Sequence, residues 1–140
     1  MTSGTIQLEV VAPDRRVLQT AVEEVVLPGS EGYLGVRPGH TPLLTALGIG
    51  ELSYVQAGQT RYLALAQGFA EILPDRVSVL CKAAENPGEI DVSRAEASKT
   101  RAEKSLSEAA GGAEDGLDRA EVRLKRALNR ITVARTRSGS

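Results

Sequence analysis

Near residue 88 the hydrophobic period of this 140-residue chain changes, and that change limits its folds more than any other feature. Before it, apolar residues recur at alternate positions. In TIQLEVV, Ile6, Leu8 and Val10 share one face; VEEVVL, ELSYVQ, TRYLALA, FAEIL and RVSVLCK are further β-rich runs. The stretches PGS, EGYLG, RPGH, QAGQ and LPDR punctuate them as turns. The AGQ segment predicts a hairpin with Gly58 at positive φ. Many short strands so spaced predict a small antiparallel sandwich or barrel, with two thin facing sheets preferred. Tyr33, Tyr54, Tyr62 and Phe69 are the only aromatics, so Val, Leu, Ile and Ala must fill the core.

From Asp91 the period is helical. DVSRAEASKTRAEKSLSEAA contains neither Gly nor Pro, and Val92, Ala95, Ala102, Leu106 and Ala109 fall near one face. AGGAEDG interrupts it at Gly111, Gly112 and Gly116, and Asp115 or Asp118 is expected to cap a second helix over about 117–134. Leu117, Ala120, Leu124, Ala127, Ile131 and Ala134 form its seam, at alternating spacings of three and four. A short loop between two helices predicts an antiparallel hairpin. Alanine buries little area, whereas a leucine side chain contributes about 1.5–3 kcal/mol when fully buried. Such a hairpin is marginal alone and must lean on the β domain, a ligand or another protein.

Composition removes several function classes. The single histidine, His40, lies in RPGHTPL and is read as a loop residue, which leaves no triad or metal cluster. Glu23 and Glu24 are neighbours on a strand and point to opposite faces, unlike a paired acid and base. No GxxxxGK[ST] loop occurs. Cys81 reads as a buried structural thiol. The N-terminus has no signal-peptide pattern and no apolar run nears the roughly 20 residues of a membrane helix, so a soluble cytosolic chain is expected. Seven bases from Arg119 onward face one acid, Glu121, and such a charge block usually meets an anionic surface. No aromatic accompanies it, so nucleic acid is not the expected partner.

LEVVAPDRRV, GSEGYLGVRPGHTPLLTALGIGEL, GFAEILPDRVSVL, IDVSRAEASKTRAEKSL and RAEVRLKRALNRITVAR follow one another in an order that resembles the epsilon subunits of bacterial F-type ATP synthases along nearly the whole chain. The resemblance implies an all-β N-terminal flattened sandwich of about ten strands over 1–87, followed by a C-terminal α-helical antiparallel hairpin over 88–140. It implies a non-catalytic rotor subunit of the central stalk, peripheral on the cytoplasmic face of the bacterial inner membrane and without direct membrane insertion. Its partners would be the gamma subunit, the c-ring and the alpha and beta subunits of the catalytic hexamer. The helical arm would inhibit ATP hydrolysis when extended and release the motor when folded down. Glu31, Gly32, Tyr33 and His40 would face the c-ring or gamma. Tyr33 stands where many relatives carry an acidic or small residue, which makes that contact more apolar.

IDVSRA, residues 90–95, matches the family's I/L-D-x-x-R-A pattern, which is associated with ATP as a regulatory ligand, no cofactor being obligatory. The resemblance thus implies nucleotide contacts from Ile90, Asp91, Arg94 and Ala95, from Glu85 just before the motif, and from Arg119, Arg126 and Arg130 in the second helix. The residues alone equally support capping: an Asp at a helix start binds free N–H groups and contributes roughly 1 kcal/mol. Arg119, Arg123, Lys125 and Arg126 would meet the catalytic subunits in the extended state, or else form a solvated face. A free-standing ATP-binding sensor with a ligand-clamping hairpin is the alternative function.

Overall fold

The computed structural model describes residues 4–109 and 114–137. Seven strands come first: β1 (Ile6–Ala12), β2 (Arg15–Val22), β3 (Glu24–Gly29), β4 (Gly32–Val36), β5 (Leu43–Gln56), β6 (Gln59–Leu73) and β7 (Arg76–Glu85). A 3-10 turn, Pro87–Glu89, leads into α1 (Val92–Ala109) and α2 (Glu114–Arg137). The strands form one sheet ordered β2-β1-β7-β6-β5-β3-β4, antiparallel except for the parallel β1–β7 pair. The β5–β6 turn is the expected two-residue hairpin, with Ala57 at φ 51° and Gly58 at φ 77°. Positive φ at both central residues matches the twist of the strands it joins.

The sheet becomes a sandwich by creasing. Core-facing positions in β5 pass from Leu47 to Leu52 and Tyr54; in β6 from Leu63 and Leu65 to Ala70 and Ile72; in β7 from Val77, Val79 and Cys81 to Ala84. Each strand changes parity once, and a parity change turns the inner face outward. The changes align, because the ladders skip the row Gly48, Gln67 and Lys82. Gln67 sits there at φ 40°, a conformation unusual for a residue with a side chain. At Gly68 a Cβ would fall inside contact distance of the Leu80 carbonyl oxygen, so only glycine fits. Across the fold, Gln56 Nε2 on β5 donates to Thr20 Oγ1 on β2 at 2.6 Å, joining strands that are distant in sheet order.

The strand count therefore differs from about ten. Gly50 and Gly68 permit close approach within strands of 14 and 15 residues, which run through both layers. Three creased strands serve both layers, and counting each twice brings seven to ten.

The helices pack as a hairpin, with Arg135 near the end of α2 reaching Glu96 near the start of α1 at 2.7 Å, as antiparallel helices require. Ala95, Ala102, Ala120, Ala127, Ile131 and Ala134 are buried, as the seam predicts. The second helix begins earlier than expected, at Glu114, so Asp115, Gly116 and Asp118 lie within α2 rather than ahead of it. Tertiary packing outweighs the single glycine, worth about 1 kcal/mol in a helix. Gly111 and Gly112 lie outside the described residues.

α2 is the helix that lies on β5 and β6. Residues 63–66 are buried on both sides: Leu63 and Leu65 face the sandwich core, while Ala64 meets Ile90, Val133 and Ala134 beneath the arm. Val133, wholly buried, is off the predicted seam because it faces the sheet rather than α1. The apolar footing of the arm is thus small.

Candidate functional site

Between arm and sandwich lies a cavity of about 480 Å³, within the roughly 300–1,000 Å³ of small-molecule sites. Its floor is apolar sheet near the crease: Ile49, Ala64, Leu65, Ala66 and Ala83. Its walls are helical faces. α1 supplies Arg94, Ser98 and Arg101, spaced four and three apart, and α2 supplies Arg126, Asn129 and Arg130. Four arginines and one acidic residue, Glu85 at the end of β7, therefore line the cavity.

That carboxylate is committed. Arg130 Nε and Nη2 donate to the two oxygens of Glu85 at 2.7 and 3.1 Å. Asn129 Nδ2 donates to the Gly50 carbonyl at 2.9 Å and Arg126 Nη2 to Gln67 Oε1 at 2.8 Å, so α2 is tied to the crease. Arg126 Nε is buried with no acceptor among the described residues. Burying an unpaired charged donor is unfavourable, and an anion in the cavity would relieve it. At the arm's far end Arg137 Nε donates to Glu51 at 3.0 Å, with its guanidinium 4.0 Å from the Tyr62 ring centroid.

Of the nucleotide set expected from sequence, Glu85, Arg94, Arg126 and Arg130 meet at this cavity, and Ile90, Asp91, Ala95 and Arg119 are not on its walls. Ile90 is taken up by the apolar cluster under the arm. Asp91 Oδ1 accepts from the Arg94 amide at 3.0 Å, the capping geometry. Ala95 is fully buried, and Arg119 is exposed. Ser98, Arg101 and Asn129 are cavity residues that the sequence reading misses, although the shared helical face of Arg94, Ser98 and Arg101 is a signal that could mark them as a unit.

The other expected residues lie elsewhere. Glu31, Gly32 and Tyr33 are exposed on the β3–β4 hairpin, and His40 is half-buried in the following loop, its Nδ1 2.6 Å from the Thr41 carbonyl oxygen. Arg119, Arg123 and Lys125 are exposed along α2, while Arg126 is half-buried in the cavity. Glu23 accepts from the Gly58 amide and Glu24 pairs with Arg37, so the two neighbouring acids diverge. Cys81 is buried, and burial raises its thiol pKa. An ion pair also holds the linker. Arg15 Nη1 lies 3.1 Å from Glu89, and hydrogen bonds from Arg15 and then Asn86 lower the Glu89 carboxyl to about 2.

On the sandwich's outer face, away from the cavity, Val11, Leu80, Phe69 and Ala46 stand directly opposite one another across β1, β7, β6 and β5. Phe69 is 60% and Leu80 61% exposed, an apolar row left uncovered. No helix among the described residues is long and apolar enough to cross a membrane.

Residues 5–87 match the ATP synthase delta/epsilon chain β-sandwich domain, and residues 89–135 match the delta/epsilon chain long alpha-helix domain. The ATP synthase epsilon chain of Koribacter versatilis is 54% identical over 104 residues, 74% of this chain and 73% of that one. That of Syntrophobacter fumaroxidans is 48% identical over 130 residues, covering 92% and 95%. Among solved structures, a chain of the Euglena gracilis mitochondrial ATP synthase (OSCP/F1/c-ring, rotational state 1) shares the fold. The TM-score is 0.78 at 22% identity, over 91% of this chain and 79% of that one. Sandwich and helical arm are thus matched in turn and as a continuous whole, and the chain belongs to the ATP synthase delta/epsilon-chain family.

Proposed function

We propose that the chain is a non-catalytic rotor subunit of a bacterial F-type ATP synthase whose helical arm is an ATP-sensitive brake on hydrolysis. It belongs to the central stalk, between gamma and the c-ring on the cytoplasmic face of the inner membrane, where it couples proton flow to ATP synthesis. Family membership supports the stalk assignment. The exposed row Val11, Leu80, Phe69 and Ala46 gives a partner subunit an apolar footing. The β3–β4 hairpin with Glu31, Gly32 and Tyr33 faces the c-ring, and His40 lies on the gamma side.

The observation that carries ATP sensitivity is the buried, unpartnered Arg126 Nε in a cavity lined by four arginines and one carboxylate already committed to Arg130. Phosphate oxygens are natural acceptors for those forks, and the apolar floor suits a base. ATP bound there bridges α1 to α2 and stabilises the folded arm, because a ligand shifts an equilibrium by its differential affinity for the two states. With the ligand gone, the small footing allows the arm to extend. Arg119, Arg123 and Lys125, already exposed, then meet acidic segments of the alpha and beta subunits.

Calorimetric titration of the chain with ATP, with and without Mg²⁺, tests this reading. One site per chain is expected, together with an ATP-dependent distance between labels on the sandwich and on α2. Absence of heat, or a distance insensitive to ATP, overturns the ATP-sensitive arm; failure to co-purify with a hexameric ATPase overturns the stalk assignment.

A further inference from the structure

A single peptide group carries two elements that do not otherwise belong together. The β3–β5 ladder lapses between Val26 and Gly29, where Pro28 has no N–H to give. There the phenol oxygen of Tyr33, on β4, accepts the Glu51 amide at 3.1 Å. Gly50 makes room: a Cβ at that position would lie 2.7 Å from the Tyr33 hydroxyl and 2.8 Å from Pro28 Cβ. In a trans peptide the N–H of Glu51 and the C=O of Gly50 point to opposite sides. On the opposite side, the Gly50 carbonyl accepts Asn129 of α2 at 2.9 Å, and the Glu51 carboxylate binds Arg137 at 3.0 Å.

We infer that the β3–β4 hairpin and the helical arm are energetically coupled through the Gly50–Glu51 peptide, with Tyr33 as a positioning residue for the docking of α2. The β5–β6 ladder sets the plane of this peptide, and the phenol polarises it, which strengthens the Gly50 carbonyl as an acceptor for Asn129. Tyr33 is 62% exposed, so a partner protein seated on the hairpin can grip it. The β5–β6 ladder keeps this peptide in place, so drawing the hydroxyl off the Glu51 amide removes the polarisation and weakens the hold on α2. That the partner is the c-ring rests on the stalk assignment; the coupling does not.

Native-state hydrogen exchange of the full chain, without any partner, tests the coupling. Tyr33→Phe removes one oxygen atom and is expected to speed exchange across 126–137 by about threefold to tenfold, with the amides of β1 and β7 unchanged. Linkage is reciprocal, so Asn129→Ala must speed exchange in the β3–β4 hairpin, and the double variant must fall short of the product of the single effects. Effects confined to the hairpin for Tyr33→Phe, or to α2 for Asn129→Ala, overturn the inference. Either outcome leaves the stalk assignment standing, since no stalk partner takes part.

Discussion

Arg130 on α2 grips both carboxylate oxygens of Glu85, a residue 45 positions earlier at the end of β7, and each side chain is 27% exposed. This fork closes the rim of the arginine-walled cavity and fastens the arm to the sandwich. Removing one partner strands the other, so Glu85→Gln is expected to weaken arm docking by about 2 kcal/mol. Exchange at α2 amides would report it. Arg130→Met should add little on top of Glu85→Gln; fully additive effects would mean that the pair does not fasten the arm.

Arg126 predicts a separation of stability from binding. Its Nε is buried without an acceptor, so Arg126→Met relieves one penalty while losing the bond to Gln67. Unligated stability should change by less than about 1 kcal/mol. ATP affinity should fall about tenfold to a hundredfold, the worth of a charge-assisted hydrogen bond. Chemical denaturation and titration calorimetry measure the two separately.

Acid should loosen the linker. Glu89 titrates near 2 in the folded chain, below its ordinary 4.5, because Arg15 and Asn86 hydrogen-bond its charged form. A depressed carboxyl stabilises the fold above the unfolded pKa, and that contribution disappears as pH falls from about 4.5 through 2. Carboxyl NMR of Glu89 should show a midpoint near 2, moving up toward the ordinary value in Arg15→Met. A midpoint unchanged by that substitution would assign the shift to Asn86 alone.

Two small substitutions, one at the crease and one in the β5–β6 turn, should have opposite signs. Gly68→Ala drives a methyl group into the Leu80 carbonyl, which is backbone and cannot swing aside, so a loss of about 3 kcal/mol or more is expected. Ala57→Asn, at a φ of 51° that asparagine tolerates better, should stabilise by about 0.5 kcal/mol. Urea unfolding of the two variants is sufficient.

The alanine seam predicts that bulk separates the helices. Ala102 and Ala127 are 2% exposed. Ala127→Leu should overpack the α1–α2 contact by about 1–3 kcal/mol and raise exchange throughout α1. The sandwich should keep its thermal midpoint, since its core lies elsewhere.

Features that depend on neighbours along the chain are legible in the residue order alone. Alternation of period two marks the strands, the three-and-four spacing marks the α2 seam, and Asp91 caps α1 because a cap needs only the next few residues. Gly58 is legible for the same reason. Arg94, Arg126 and Arg130 are reachable through family resemblance, whereas Ser98, Arg101 and Asn129 matter only because of what stands opposite them. The crease is not legible, since Gly68 looks like a turn glycine until the strand it must approach is in place. Nor is the removal of Ile90 from the cavity, which follows from Val133 and Ala134 arriving from 43 and 44 residues away. Residue order alone settles the type of element in each half, because hydrophobic period and capping are short-range. It does not settle the strand bounds: EGYLG, read as a turn, supplies β4, and TRYLALA and FAEIL are one strand, β6. Only the tertiary structure decided which cations share one cavity and which peptide Tyr33 and Asn129 both hold, because those contacts exist once the sheet has folded over and the arm lies on it.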